Sequence, residues 1–153
     1  LIELMVAIAI LGILATVGVP SFVNLIKNNR LAAQSADFTG ALYFARSEAI
    51  KRNANVAVVS DASGWAGGWD VVVDPDGASE TLRVFEELDG GNTLTCSSGC
   101  SDITFSGAGT LKPEEGRDFV LCDDRNEGRK FTVRITGSVK VDRSGHGCGA
   151  GDD

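Results

Sequence analysis

LIELMVAIAILGILATVGVPSFVN, residues 1–24, holds one charged side chain, Glu3. Residues 4–23 are twenty in a row without a charge, and wound as an α-helix they reach about 30 Å, the thickness of a bilayer's hydrocarbon core. The stretch predicts a membrane span. An ionised carboxylate at membrane depth costs about 2.5–3.5 kcal/mol, so Glu3 one turn into the span calls for a partner. Held at headgroup level it would do no more than complement the positive end of the helix dipole.

The run Leu1-Ile2-Glu3-Leu4-Met5, a small-and-branched apolar stretch, then Gly18-Val19-Pro20-Ser21-Phe22 resembles the N-terminal helix of type IV pilins and type II secretion pseudopilins. The resemblance implies that Glu3 meets the N-terminal amine of a neighbouring subunit during filament assembly. It also implies a short basic leader cut after a glycine, and a methylated Phe and one further residue ahead of Leu1. On that expectation the chain is a mature pilin lacking its first two residues, with the amine that would pair with Glu3 two positions upstream.

Past residue 24 the helix is predicted to continue with a different face. Lys27, Asn28, Asn29 and Arg30 mark the exit from the apolar stretch. Cations beyond a span favour the cytoplasmic side, whereas the resemblance implies a periplasmic head, which leaves orientation to the leader. Leu31, Ser35, Phe38, Leu42, Ala45 and Ala49 recur in steps of four and three, a stripe on which a sheet can pack. Gly12, Gly18 and Pro20 weaken the first half, since an internal proline removes a hydrogen bond and crowds the preceding turn. A kink or a locally unwound segment is expected between Gly12 and Phe22, and in pilin filaments the matching region is often melted.

After Asn53 the period becomes strand-like. Strands are expected at 55–60, 69–74, 81–88, 103–106, 118–122, 130–136 and 139–141, with a loop at 61–68 carrying Trp65. Asp74-Pro75-Asp76-Gly77 is a turn signal that makes a hairpin of 69–74 and 81–88. Residues 43–53 (YFARSEAIKRN) and the Trp65-x-x-Gly68-Trp69 spacing before VVVDPDG are similar to the GspH/FimT subgroup of pilin-like proteins. The expected fold is therefore α+β and pilin-like: a long N-terminal helix, transmembrane over 1–24 and amphipathic over 25–53, on an antiparallel β-sandwich-like head over 54–153. The tail, 144–153, is expected to be poorly ordered beyond Cys148.

Charge and cysteines bound the rest. The 153-residue chain carries net −7, with five Lys/Arg against three Asp/Glu over residues 1–53 and nine against eighteen beyond. The head is acidic, which argues against wholesale coating of nucleic acid. Cys96, Cys100, Cys122 and Cys148 all lie in it, and four cysteines allow three connectivities. Only Cys96 and Cys100 are close, and the sole histidine, His146, stands by Cys148, so disulfides in an oxidising compartment fit better than zinc. The favoured pairs are Cys96 with Cys100 and Cys122 with Cys148, the longer loop contributing about 3 kcal/mol.

Candidate chemistry is sparse. No nucleophile comes with a positioned base and no Gly-rich loop precedes Lys-Ser/Thr, so neither an enzyme nor a cofactor is expected. Asp74, Asp76 and Glu80 lack the full spacing of a calcium loop and read as an acidic turn, with no metal. Arg125, Arg129, Lys130, Arg134, Lys140 and Arg143 face only Glu127 and Asp142 in sequence, a local +4. Lys130, Arg134, Lys140 and Arg143 are candidate phosphate-backbone ligands, with an ordinary solvated strand face as the alternative. FimT-type pilins of DNA uptake carry Gly-Arg-x-Arg near the C-terminus; here Gly137-Ser138-Val139-Lys140 stands at the matching place, one forked donor lost and the other replaced by a point charge. The resemblance implies a minor pilin that supports pilus assembly, surface motility or adhesion through contacts with other pilin subunits, held in the inner membrane before assembly and in a surface or periplasmic filament after it. A type II secretion pseudopilin and a DNA-binding pilin are the alternatives.

Overall fold

The computed structural model describes residues 1–143 and Cys148, with Val17 as backbone only. The expected disorder of the tail and the place of His146 lie outside the described residues. Helix α1, Ile2–Arg52, is one unbroken helix of 51 residues, about 77 Å long at 1.5 Å per residue. It ends at Asn53, left-handed at φ 50°, where Ala54 N–H donates to Ala49 C=O and Asn53 N–H to Ile50 C=O, the bond pair of a Schellman cap. Lys51 and Arg52 in the last turn favour the same end of the dipole.

Among the described residues nine antiparallel strands follow: β1 Val56–Asp61, β2 Gly64–Val73, β3 Glu80–Phe85, β4 Thr93–Cys96, β5 Asp102–Phe105, β6 Leu111–Lys112, β7 Arg117–Cys122, β8 Gly128–Val133 and β9 Val139–Asp142. One sheet runs β3-β2-β1-β5-β6 and the other β4-β7-β8-β9. The second half of α1 lies against both sheets. Every residue of the predicted stripe is buried, as are Gln34 and Ala41 beside it. Its alanines let the helix approach closely, and Phe38 fills the centre, with Trp65, Trp69, Phe119 and Phe131 edge-on around it at centroid distances of 4.9–5.8 Å. Strand alternation sends Phe119 and Leu121 of β7 and Phe131 and Val133 of β8 into this core, Phe119 directly opposite Phe131.

The expected loop at 61–68 shrinks to a turn at 62–63, with Asp61 closing β1 and 64–68 opening β2. Asp61 carboxylate accepts from Ser63 N–H at 2.9 Å and Ser63 hydroxyl at 2.7 Å, bonds that hold it below the ordinary carboxylate range and turn the chain sharply into Gly64. Asp61 then pairs with Gly64 while Ser60 pairs with Trp69, so residues 65–68 bulge out of register. The bulge turns Trp65 inward, where its Nε1 donates to Cys100 C=O at 2.7 Å. Gly68 takes φ +107°, and a Cβ there would collide with Phe85 C=O. Strand β3 stops at Phe85 rather than 88, and β8 stops at Val133 rather than 136 because Arg134 N–H and Ser138 C=O close the next turn.

Candidate assembly surface and its collar

Among the described residues the apolar stretch of α1 ahead of Asn24 is not buried against the head. Leu4, Met5, Ile8, Leu11, Ile13, Leu14, Val19 and Phe22 are all exposed, and the helix is long and apolar enough to cross a membrane. Glu3 is exposed in the first turn, the only acidic group there. Gly12, Gly18 and Pro20 sit within helix α1. The weakness is still built in: a proline at 20 leaves the Thr16 carbonyl without its intrahelical donor, while Thr16 hydroxyl donates back to Ile13 C=O at 2.7 Å.

Where α1 reaches the head, two loops grip it with polar contacts. In the β7–β8 turn, Arg125 donates to Asn28 Oδ1 at 2.8 Å and Asn24 Oδ1 at 3.4 Å, and Asp124 pairs with Lys27. Helical spacing puts 24, 27 and 28 on one face. Asp123, whose side chain is only 2% exposed, holds Arg125 in place by accepting from its guanidinium and from the N–H groups of Arg125 and Glu127 at 2.9 and 3.0 Å. Burial pushes its carboxyl up, but these hydrogen bonds outweigh it and the carboxyl lies below its ordinary range. Nearly two turns on, Gln34 donates to Asp89 C=O at 3.1 Å and accepts from Asn92 at 2.6 Å. Sequence reasoning missed this collar; the Asp-Asp-Arg-Asn run at 123–126 reads only as a turn.

The disulfides are Cys96–Cys100 and Cys122–Cys148, the expected pairs. The second sits immediately before Asp123. Glu80 pairs with Arg52 at 3.1 Å, the Asp74 backbone carbonyl closes its turn by accepting Gly77 N–H, and among the described residues no group of three His, Cys, Asp or Glu could hold a metal. The basic run divides. Arg125 belongs to the collar, and Lys130 pairs with Asp118 at 3.1 Å. Arg129 is half-buried, its guanidinium pushed down by burial and by neighbouring Arg143. Lys140 lies opposite Thr132 and shares the outer face with Lys130, but Arg134 has left β8. Arg134, Lys140 and Arg143 are exposed.

Residues 34–138 match the family described as "Type II transport protein GspH". The chain belongs to the GspH family. The match begins inside the collar and ends in the β8–β9 turn, so it is the head and the packed half of α1 that carry the GspH signature. The fold is that of the type IV minor pilin FimU of Pseudomonas aeruginosa, with a TM-score of 0.71 at 22% identity over 82% of this chain and 99% of that one. A second crystal form of the same pilin gives 0.65 at 25% identity, over 76% and 99%. The minor pseudopilin EpsH of the Vibrio cholerae type 2 secretion system gives 0.61 at 13%, over 76% and 99%. No curated protein sequence matches the chain.

Proposed function

We propose that this GspH-family chain is a minor pilin of a type IV pilus. It waits in the inner membrane on the free half of α1 and enters a filament by packing that half among neighbouring subunits, with the head outside. One observation carries the reading: among the described residues the apolar stretch of α1 is not buried against its own head, and its one carboxylate, Glu3, stands in the first turn. A free helix of that composition is stable in lipid or among like helices. The collar supports the division of labour, since it ties the helix to the head at 24–34 and leaves everything before it free. The chain acts by assembly, without catalysis.

The likeness to FimU supports the pilus over a secretion filament, while the family description and the likeness to EpsH favour the second reading, a type II pseudopilin. Deletion of the gene separates them: loss of surface pili and twitching is expected, and unchanged piliation with failed protein secretion would select the pseudopilin. DNA binding has narrower support, in the exposed cations Arg134, Lys140 and Arg143, because Lys130 and Arg125 are engaged within the head.

A further inference from the structure

The outer face of the five-stranded sheet carries a groove of about 700 Å³ that crosses four strands, from Val84 on β3 to Asp102 and Thr104 on β5, three strand spacings or about 14 Å. Strand register lays one row along it: Val84 stands opposite Asp70, Asp70 opposite Val59, and Val59 opposite Asp102. Aliphatic and carboxylate side chains therefore alternate across the floor, where Val84 is 65% exposed. Asp61, Asp76 and Glu86 add three more carboxylates around the rim. Among the described residues no Lys or Arg lines the groove, and none of its five carboxylates belongs to an ion pair.

That pattern selects the chemistry of the occupant. Lys and Arg side chains end in a cation on an aliphatic stem, so a stem laid on Val59 or Val84 brings its head to Asp70 or Asp102. A metal ion does not suit the same carboxylates, since among the described residues no group of three His, Cys, Asp or Glu could hold one. The length of the groove takes about four residues of extended chain. A second copy of this chain is a poor occupant: beyond residue 53 it carries nine Lys/Arg against eighteen Asp/Glu, and groove against groove sets carboxylates against their own copies, which like-charge repulsion opposes.

We infer that this face docks an extended segment, bearing two or more Lys or Arg side chains, from the head of a different subunit of the same filament. The inference rests on the minor-pilin reading and names the partner surface that reading needs. A minor subunit has to prefer unlike neighbours, and the apolar stretch of α1 offers no charge besides Glu3 with which to tell one neighbour from another. An acidic face without cations of its own supplies that preference: it attracts a basic segment and repels a copy of itself.

Two measurements test it. A fluorescein-labelled Lys-Thr-Lys-Thr-Lys peptide, titrated with the full chain in non-ionic detergent and followed by anisotropy, should bind and should be released as salt rises. Asp70→Lys with Asp102→Lys should weaken it about tenfold or more, Val84→Ser should weaken it too, and Glu114→Lys, at an exposed site outside the groove, should leave it unchanged. The doubly inverted chain should instead bind Glu-Thr-Glu-Thr-Glu, which shows that inversion did not act by misfolding. In sheared filaments, irradiation of the chain carrying Val84→p-benzoylphenylalanine should cross-link it to another pilin-like subunit, through a segment that mass spectrometry finds to hold two or more Lys or Arg. No peptide binding, binding indifferent to Asp70 and Asp102, or an adduct with a second copy, with an acidic segment or with a protein unlike pilins would overturn the docking. Filaments that contain the chain without the adduct would overturn it while leaving assembly through α1 intact. Peptide binding by a chain that never enters a filament would overturn the minor-pilin reading and leave the groove's preference for cations standing.

Discussion

Truncating Arg125 to alanine tests whether the collar holds the helix to the head. The guanidinium bonds Asp123, whose side chain is 2% exposed, as well as Asn28 and Asn24. Asp123 would keep two backbone N–H donors but lose its charge partner. Breaking a buried pair costs about 3–5 kcal/mol; Arg125 is itself 23% exposed, so water can reach part of the space it leaves, and about 2–3 kcal/mol is expected. For a head of this size that lowers the melting temperature by roughly 8–20 °C. Trp65 and Trp69, both buried, report unfolding of the full chain in detergent with urea. The acid limb gives a second readout. Asp123 has its folded pKa depressed, so its contribution is complete above the ordinary aspartate pKa and disappears as pH falls through the lower, folded value. The gap between wild type and Arg125→Ala should therefore be full at pH 7 and shrink below about pH 4. A gap under about 0.5 kcal/mol at pH 7, the level of an ordinary surface substitution, or one that stays constant down to pH 3, would refute the collar.

Three further outcomes are expected. Phe38→Ala removes the ring on which four aromatics converge and should cost about 3–5 kcal/mol, read by the same urea titration; a loss below about 1 kcal/mol would show that the core closes without it. Replacing Cys122 and Cys148 together by serine should cost about 3 kcal/mol, while the same change at Cys96 and Cys100, four residues apart, should cost less; calorimetry ranks them. If Arg134, Lys140 and Arg143 bind phosphate, duplex DNA is retarded at low salt with a log–log salt slope of about −2.7, and Arg134→Glu with Lys140→Glu abolishes the shift; no shift at any salt removes the DNA reading.

What was legible in the sequence follows from how local each signal is. The packed stripe of α1 could be read because helical period alone puts Leu31, Phe38, Leu42, Ala45 and Ala49 on one face. Gln34 was missed because a buried glutamine is unremarkable until its partners, the Asp89 carbonyl and Asn92, are placed beside it. The strand positions came from alternation, but the start of β2 did not: Trp65-Ala-Gly-Gly reads as loop by composition, and only pairing with β1 shows it to be a bulge. The disulfides were accessible through an even count and spacing. The collar was not, because Asn24, Lys27 and Asn28 look like the end of an apolar segment, and Arg125 and Asp124, about a hundred residues on, like a turn. Lys130 looked free because its partner Asp118 lies across a register that the sequence does not specify.

The central claim is that the free half of α1, with Glu3 at its tip, builds a filament. Its test is the distribution of Glu3→Ala between the inner membrane and sheared surface filaments, set against the wild type by immunoblot. Full membrane insertion with loss from the filament fraction is predicted; incorporation at the wild-type level would contradict it.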